Sequence, residues 1–284
     1  MKNSLTVCHE DSDFFPRRLA REERTQVPVT ISLVVPVFNE SETVGIFLER
    51  VSGLFSKATD INLDIVFVND GSSDATLERL IQLQRGNRTV RILDLSRNFG
   101  KEAALTAGLK AAAGRVVVPI DVDLQDPPEL ILQMLIKWRE GYDVVLGLRI
   151  KRDSDSWLKR ESARWFYRIH NKISDTKIPP NVGDFRLMDR LVVDALNDLP
   201  ESRRFMKGLY AWVGFQYATI EYSRPERVAG NSKFNGWSLW NLALDGITSF
   251  STAPLKVWTY LGVVVATFSL FLAIFMVLKV LIYG

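Results

Sequence analysis

Asp121 and Asp123 stand two residues apart in the stretch Val116-Val117-Val118-Pro119-Ile120-Asp121-Val122-Asp123-Leu124-Gln125-Asp126-Pro127-Pro128-Glu129, with the amide of Gln125 two further on. The stretch opens as a β-branched apolar run, the pattern of a buried strand. Side chains alternate in extended chain, so Asp121, Asp123 and Gln125 are expected on one side and Val122 and Leu124 on the other. Oxygen-bearing groups that converge at the carboxyl end of a strand suit a hard divalent cation carrying phosphates. Pro127 and Pro128 then end the strand and can serve in the first turn of a helix. An isolated Asp-x-Asp is more often an acidic turn, so its meaning rests on what surrounds it.

Around it, strands and helices alternate. Strands are expected at Ile31 to Pro36, Leu63 to Val68, Val90 to Leu95, Arg115 to Ile120 and Asp143 to Leu148. Helices are expected between them at Glu42 to Phe55, Asp74 to Gln84, Glu102 to Ala113 and Leu130 to Arg139. This alternation predicts an α/β fold, a parallel sheet with helices on both faces. Such sheets bind ligands at the carboxyl ends of their strands. The first strand ends in Pro36-Val37-Phe38-Asn39-Glu40 and the second in Asn69-Asp70-Gly71-Ser72-Ser73-Asp74. Gly71 relieves backbone crowding there, and Ser73 or Asp74 can cap the next helix.

The chain has 284 residues, 47% of them apolar, and that apolar share is unevenly spread. Val257 to Leu278 carries no charge and lies between Lys256 and Lys279. At ~1.5 Å per residue the run is about 33 Å long, enough for a bilayer core of roughly 30 Å. Trp258, Tyr260 and Tyr283 fit interfacial anchors. The first 27 residues hold five acidic and five basic side chains and no apolar run. Residues 1–28 therefore read as a loosely ordered polar tail without a signal peptide, which leaves the soluble part on the cytoplasmic side. The single cysteine, Cys8, excludes a disulfide framework and a cysteine metal cluster.

A net charge of +3 is too small to imply nucleic acid. Arg149 to Lys172 is basic and interleaved with Trp157, Trp165, Phe166 and Tyr167. So near a membrane span, lipid phosphate is the better partner for it, although a solvated helix face explains the pattern as well. Phe234 to Phe250, with Trp237, Leu239, Trp240, Leu242, Leu244 and Ile247, reads as an interfacial helix that leads into the span. Pro254 allows a change of direction between the two.

The order PVFNE, VNDGSSD, RNFGKEAAL and DVDLQDPPE, each at its own strand end, resembles glycosyltransferase family 2, nucleotide-sugar-dependent enzymes of the GT-A fold. The resemblance continues through Gly183-Asp184-Phe185-Arg186-Leu187-Met188-Asp189-Arg190, Arg204-Phe205-Met206-Lys207-Gly208 and Ala229-Gly230-Asn231-Ser232-Lys233-Phe234. With Asn241 to Ser251 before the span it is similar to the polyprenyl-phosphate branch, nearest to bacterial and phage bactoprenol glucosyltransferases and more distantly to dolichol-phosphate mannose synthase. It implies a GT-A (Rossmann-like), mostly parallel sheet in a cytoplasmic catalytic domain at 29–230. An acceptor loop and interfacial helix at 231–253 and a transmembrane helix at 254–284 would follow, at a bacterial inner membrane. Relatives of that branch carry a second span after the first, and no counterpart of it precedes Gly284. Homo-oligomerisation through such a span is left open.

Carried onto this chain, the resemblance places Pro36, Phe38 and Glu40 at the nucleotide and Asp70 at the uracil or ribose. Lys101 would contact the nucleotide or its diphosphate. Asp121 and Asp123 would hold Mg2+ or Mn2+ with Gln125, and Arg186, Arg204, Lys207 and Lys233 would face a lipid phosphate. Arg186 also has a purely structural reading, as a salt bridge to its neighbours Asp184 or Asp189. Asn69 stands where many relatives have aspartate.

The reaction implied is transfer of a hexose, glucose first, from a UDP-sugar to undecaprenyl phosphate with inversion. Aminoarabinose-type or mannose transfer is the alternative, because sugar specificity rests on a few hydrogen bonds that no motif encodes. A processive polysaccharide synthase is disfavoured: Gln133 to Trp138 lacks the Gln-x-x-Arg-Trp spacing, and one span forms no channel. A shortened, inactive membrane-bound binding protein is the reading from another class.

Overall fold

Runs of valine and isoleucine without polar interruption fit strands covered on both faces. In the computed structural model, which describes residues 24, 28–150, 182–201, 204–223 and 253–283, those runs form the core of one sheet. The elements are β1 (Val29–Val37), α1 (Thr43–Phe55), β2 (Ile61–Asn69), α2 (Thr76–Gly86), β3 (Val90–Asp94), α3 (Lys101–Ala111) and β4 (Val116–Pro119). Then come α4 (Leu130–Arg139), β5 (Val144–Arg149), β6 (Val182–Asp189), α5 (Arg190–Asn197), α6 (Met206–Trp212), β7 (Tyr217–Tyr222) and α7 (Ala253–Tyr283).

The seven strands lie in the order β3-β2-β1-β4-β6-β5-β7. β1, β2, β3 and β4 pair in parallel, as the alternating pattern predicts. β6, for which no strand was expected, runs antiparallel to both β4 and β5 and separates them, so the sheet is mostly parallel, as the resemblance implies. Its sequence, VGDFRLMD, has a glycine and three charged residues and gives little strand signal of its own.

Two layers of helix cover the sheet. On one face α1 and α4 bring Phe47, Val51, Met134 and Trp138 against Leu33, Val35, Phe67 and Val118. On the other, Leu105 and Leu109 of α3, Val192 and Leu196 of α5 and Met206 and Leu209 of α6 pack on Val34, Val117, Leu146 and Met188. A Cβ on Gly108 would come within 2.3 Å of Val34 Cγ1, so α3 sits unusually close to the strands. That closeness places the first turn of α3 beside the strand ends.

Arg24 lies within the stretch expected to be a loose tail, yet it is buried. Its guanidinium donates to the carbonyls of Trp138 and Tyr142, each at 3.1 Å. It also pairs with Asp143 at 2.6 Å and Asp189 at 3.2 Å, and lies 5.3 Å from the Trp138 ring centroid. Asp189 is fully buried, accepts from Trp138 Nε1 at 2.7 Å, and caps α5 through the Leu191 N–H. α7 is apolar around its whole circumference, and Lys256–Ile282 is long and apolar enough to cross a membrane. The basic Lys151–Lys172 stretch, Lys233 and the expected Phe234–Phe250 helix lie outside the described residues.

Removing one partner of a buried ion pair leaves the other charge desolvated and uncompensated, at a cost of about 3 kcal/mol. Arg24→Ala is therefore expected to lower stability to urea by about that amount. A midpoint that matches the wild type in detergent-solubilised protein would show that Asp143 and Asp189 do not need the N-terminal arginine.

Candidate active site

The loops after β1 and β2 fasten to each other. Asn39, at φ 53°, accepts the Ser73 N–H on its side-chain oxygen at 2.8 Å. The Asn39 N–H donates to Ser72 Oγ, and the Glu40 N–H to Thr76 Oγ1 at 2.8 Å. Glu40 Oε2 accepts from Thr43 Oγ1 at 2.7 Å, and the Glu40 carbonyl starts α1. Pro36, Phe38 and Glu40 are all half-buried along this rim. The N-cap position of α2 falls on Ala75, not on Ser73 or Asp74 as expected; Asp74, one residue earlier, accepts the Thr76 N–H at 3.0 Å.

Asp70 is buried, and its two oxygens accept the backbone N–H groups of Phe99 and Gly100 at 2.8 and 2.9 Å. Its first task in this structure is therefore to fix the start of α3, and any contact with a nucleotide comes in addition to that. Gly71 has φ 63°, and a Cβ there would lie 2.3 Å from the Arg97 carbonyl carbon, so no other residue fits between the two loops. Asn69 donates to Asp94 Oδ1 at 2.7 Å and accepts the Ser72 N–H at 3.3 Å. An aspartate here would set two carboxylates side by side, which gives the departure to asparagine a local reason.

β4 stops at Pro119, and the Asp-x-Asp stretch is a turn, not the extended chain expected. Leu124 takes a left-handed conformation, φ 56°, and the Gln125 N–H donates to Asp123 Oδ1 at 3.2 Å. Asp121, Asp123 and Gln125 are each half-buried, clustered by the turn rather than by strand alternation. The far side is locked by Asp126, buried and bonded to Arg149 Nη2 at 3.2 Å and to the Tyr222 hydroxyl.

Lys101 comes into this turn from α3. Its ammonium lies 2.6 Å from Asp121 Oδ1 and 3.0 Å from Asp184 Oδ2. Burial works against its charge, but Asp121 and Asp184 outweigh that and hold it above the ordinary lysine range. For Asp184, burial would raise the carboxyl, yet Lys101, Lys207 and Arg186 hold it well below the usual range. Lys101, expected at the nucleotide or its diphosphate, here bridges two acids, Asp121 in the turn after β4 and Asp184 on β6.

Two residues beyond Asp184 on β6, where its pairing with β5 is irregular, is Arg186. Its guanidinium donates to the Gly183 carbonyl at 2.7 Å and lies 3.8 Å from the centroid of the Tyr210 ring. The salt bridge to Asp189 is corrected here: Asp189 points to the opposite face, where Arg24 and Arg115 meet it. Arg186, Lys207 and Tyr210 line a cavity of ≈ 230 Å³ whose other walls include Val144, Leu146, Val182, Phe215 and Tyr217. Arg204 folds back onto the carbonyls of Leu199 and Glu201 at 2.7 and 3.2 Å, and is not among the residues that line this cavity.

Sequence reasoning passed over Asp184, Tyr210 and Glu102. Spacing offered a signal for the first, since i and i+2 on a strand share a face. Glu102 follows Lys101 in the first turn of α3, and its Oε2 accepts the Met206 N–H at 2.8 Å. Burial first, then the Asp184 carboxylate, push Glu102 up to about 7, against the pull of that hydrogen bond and of Lys207 and Lys101.

The donors around Asp121 are all oxygen, hard and half-exposed, and they already draw in one cation, the Lys101 ammonium. Among the described residues no group of three or more His, Cys, Asp or Glu gathers as a closed metal site. Two carboxylates and an amide suit a divalent ion whose remaining positions belong to phosphate and water.

The fold is shared with sugar-transferring enzymes. A glucosyl-3-phosphoglycerate synthase of Mycobacterium tuberculosis, solved with Mn2+, UDP-glucose and phosphoglyceric acid, superposes with a TM-score of 0.52 at 19% identity, covering 82% of this chain and 80% of that one. Residues 32–196 match the glycosyl transferase family 2 model, and the chain belongs to that family. It is a glycosyltransferase. A bactoprenol glucosyl transferase of Shigella phage SfV is 54% identical over 254 residues, 89% of this chain and 82% of the relative. A prophage bactoprenol glucosyl transferase homolog of Escherichia coli K12 is 52% identical over 89% of this chain and 83% of its own length.

Two outcomes follow from this geometry. Asp70→Asn replaces one acceptor oxygen by a donor facing a backbone N–H and is expected to cost about 1–3 kcal/mol; an unchanged urea midpoint would contradict the clamp. Because folded Glu102 keeps its proton to higher pH than the unfolded chain does, its ionisation costs stability as pH rises from the ordinary carboxyl range through about 7. Glu102→Gln should therefore match the wild type near pH 4 and exceed it at pH 8, by on the order of 1 kcal/mol after solvent screening. Melting curves across that range check the sign.

Proposed function

We propose that this chain moves glucose from UDP-glucose to a polyprenyl phosphate, undecaprenyl phosphate in a bacterium, at the inner face of the cytoplasmic membrane. The observation that carries this reading is the pairing of two unlike subsites on one strand. Asp184 faces the Asp121–Lys101 cluster, while Arg186, with Lys207, enters a cavity with apolar walls. Such a cavity suits an amphiphilic phosphate better than a sugar hydroxyl. The likeness to the Shigella phage and Escherichia coli enzymes supports glucose and a bactoprenol-type acceptor.

Pro36, Phe38, Glu40 and Asp70 are assigned to the nucleotide, at the rim formed by the β1 and β2 loops. Asp121, Asp123 and Gln125 would hold Mg2+ or Mn2+, which when bound neutralises the diphosphate leaving group as a Lewis acid. Lys101 adds positive charge on the same side. The acceptor, a phosphate monoester with a second pKa of about 6, is largely dianionic at neutral pH. It needs no strong general base. Arg186 and Lys207 offset the repulsion between the two anionic substrates and aim a phosphate oxygen at the anomeric carbon. That oxygen forms the new bond as the bond to UDP breaks, the anomeric configuration inverts, and no proton changes hands.

Lys233 joins the acceptor cations by its place in the sequence. Arg204 is assigned to its own loop, with a phosphate contact only after a change of conformation. α7 would anchor the catalytic domain at the membrane, where the acceptor resides.

Isolated membranes supplied with UDP-glucose, undecaprenyl phosphate and Mn2+ are expected to form a lipid-linked hexose, read by mass spectrometry of the lipid fraction. Other UDP-hexoses in parallel reactions identify the sugar. Asp123→Ala should leave no detectable product. Absence of product with every UDP-hexose, while UDP still binds, would refute the acceptor assignment.

A further inference from the structure

Glu102 sits where the two subsites meet, and neither the nucleotide rim nor the acceptor cavity includes it. It occupies the first turn of α3, next to Lys101, yet its carboxylate reaches away from that helix to the first N–H of α6. α6 has no cap of its own: Phe205 stands at the N-cap position and supplies no side-chain acceptor. Opening N–H groups of a helix need a partner from elsewhere, and an anionic acceptor there also favours the helix dipole. Glu102 is that partner, across 104 residues of sequence.

α6 is short, and it carries the acceptor side of the site. Lys207 follows Met206 directly, and Tyr210, one turn further on, supports the Arg186 guanidinium at 3.8 Å. Thr106, one turn along α3, reinforces the same junction. Its hydroxyl donates to the Glu102 carbonyl at 2.8 Å and lies 3.9 Å from Met206 Sδ. The ionisable groups that face Glu102 are Asp184 on β6, Lys101 on its own helix, and Lys207 and Tyr210 on α6.

We infer that Glu102 is a positioning residue that ties the N-terminus of α6 to the lysine-bearing turn of α3. It thereby sets Lys207 and the Tyr210–Arg186 stack at a fixed place relative to the Lys101–Asp121 pair. It touches neither substrate. Its effect on transfer, which rests on the acceptor assignment above, passes through α6 and falls on the acceptor.

The test pairs a kinetic readout with a structural one, in the full chain in detergent. Glu102→Ala is expected to raise KM for undecaprenyl phosphate about tenfold, the loss of roughly one hydrogen bond to a charged group, and to leave KM for UDP-glucose within twofold. Hydrogen exchange in the Phe205–Trp212 segment should quicken at the same time. Glu102→Gln keeps an acceptor oxygen and is expected to bring back both the slow exchange and an acceptor KM within threefold of wild type. Equal rises in the two KM values, or unchanged exchange in Glu102→Ala, would overturn the inference. If Glu102→Ala does not fold, Glu102→Asp withdraws the oxygen by one methylene and is expected to show the same split. If the wild type turns over no lipid phosphate, the proposed function fails, and the exchange measurement alone decides whether Glu102 anchors α6.

Discussion

The arrangement depends on one ammonium group. Asp121, in the turn after β4, and Asp184, on β6, bring their carboxylates to one place, and the Lys101 ammonium of α3 is bonded to both. At about 4 Å and an effective dielectric near 20, each attractive pair is worth about 4 kcal/mol before desolvation is subtracted. The Lys101 side chain is 36% exposed, so solvent screens part of each attraction, and the two carboxylates hold the ammonium together. The position of the lysine is set in turn by Asp70, which clamps the Phe99 and Gly100 amides at the start of α3. A carboxylate at the end of β2 thus governs a cation that serves the end of β4.

At the opposite end of the strands a second ion cluster binds the halves of the sheet. Arg24 and Arg115 meet Asp189, and Arg24 also reaches Asp143 and two carbonyls. Arg190 donates to the carbonyls of Ala112 and Gly114, so the C-terminal part of the domain is fastened to the turn before β4. Arginine suits this work because its fork of donors meets several carbonyls at once while keeping its charge. These contacts hold β6 in a position that its own sequence would not secure.

Most of the sheet was legible in advance because its valine and isoleucine runs are buried on both faces, and such runs have few alternatives. β1 to β5 fall within two residues of their expected limits at both ends. β6 was not legible as a strand: Gly183, Asp184 and Arg186 interrupt the apolar pattern, and the pairing that stabilises it comes from β4 and β5. The Asp-x-Asp pair was legible as a cluster of oxygen donors past the end of a strand, but its conformation was not, since nothing in the residue type announces a left-handed leucine at 124. Glu102 and Tyr210 were invisible for a different reason. Their importance lies in partners about a hundred residues away or on another element, and spacing along the chain carries no trace of that. Arg24 was misplaced by the polarity of its surroundings, because a buried arginine and a solvated one look alike in sequence.

β6 carries both Asp184 and Arg186, one turned to the carboxylate–lysine cluster and the other to the apolar cavity. Only one residue separates them in the chain, in a bulged stretch where the four-residue step from Val182 to Arg186 faces a two-residue step of β5, from Leu148 to Leu146. The distance between the two halves of the site is therefore a length of covalent backbone. Domain breathing, loop closure or a shift of α6 can change what approaches each residue, but not the interval between them. A strand that runs against its neighbours works here as a ruler: it presents two opposite charges at a set interval, and substrates of different lengths must accommodate themselves to it.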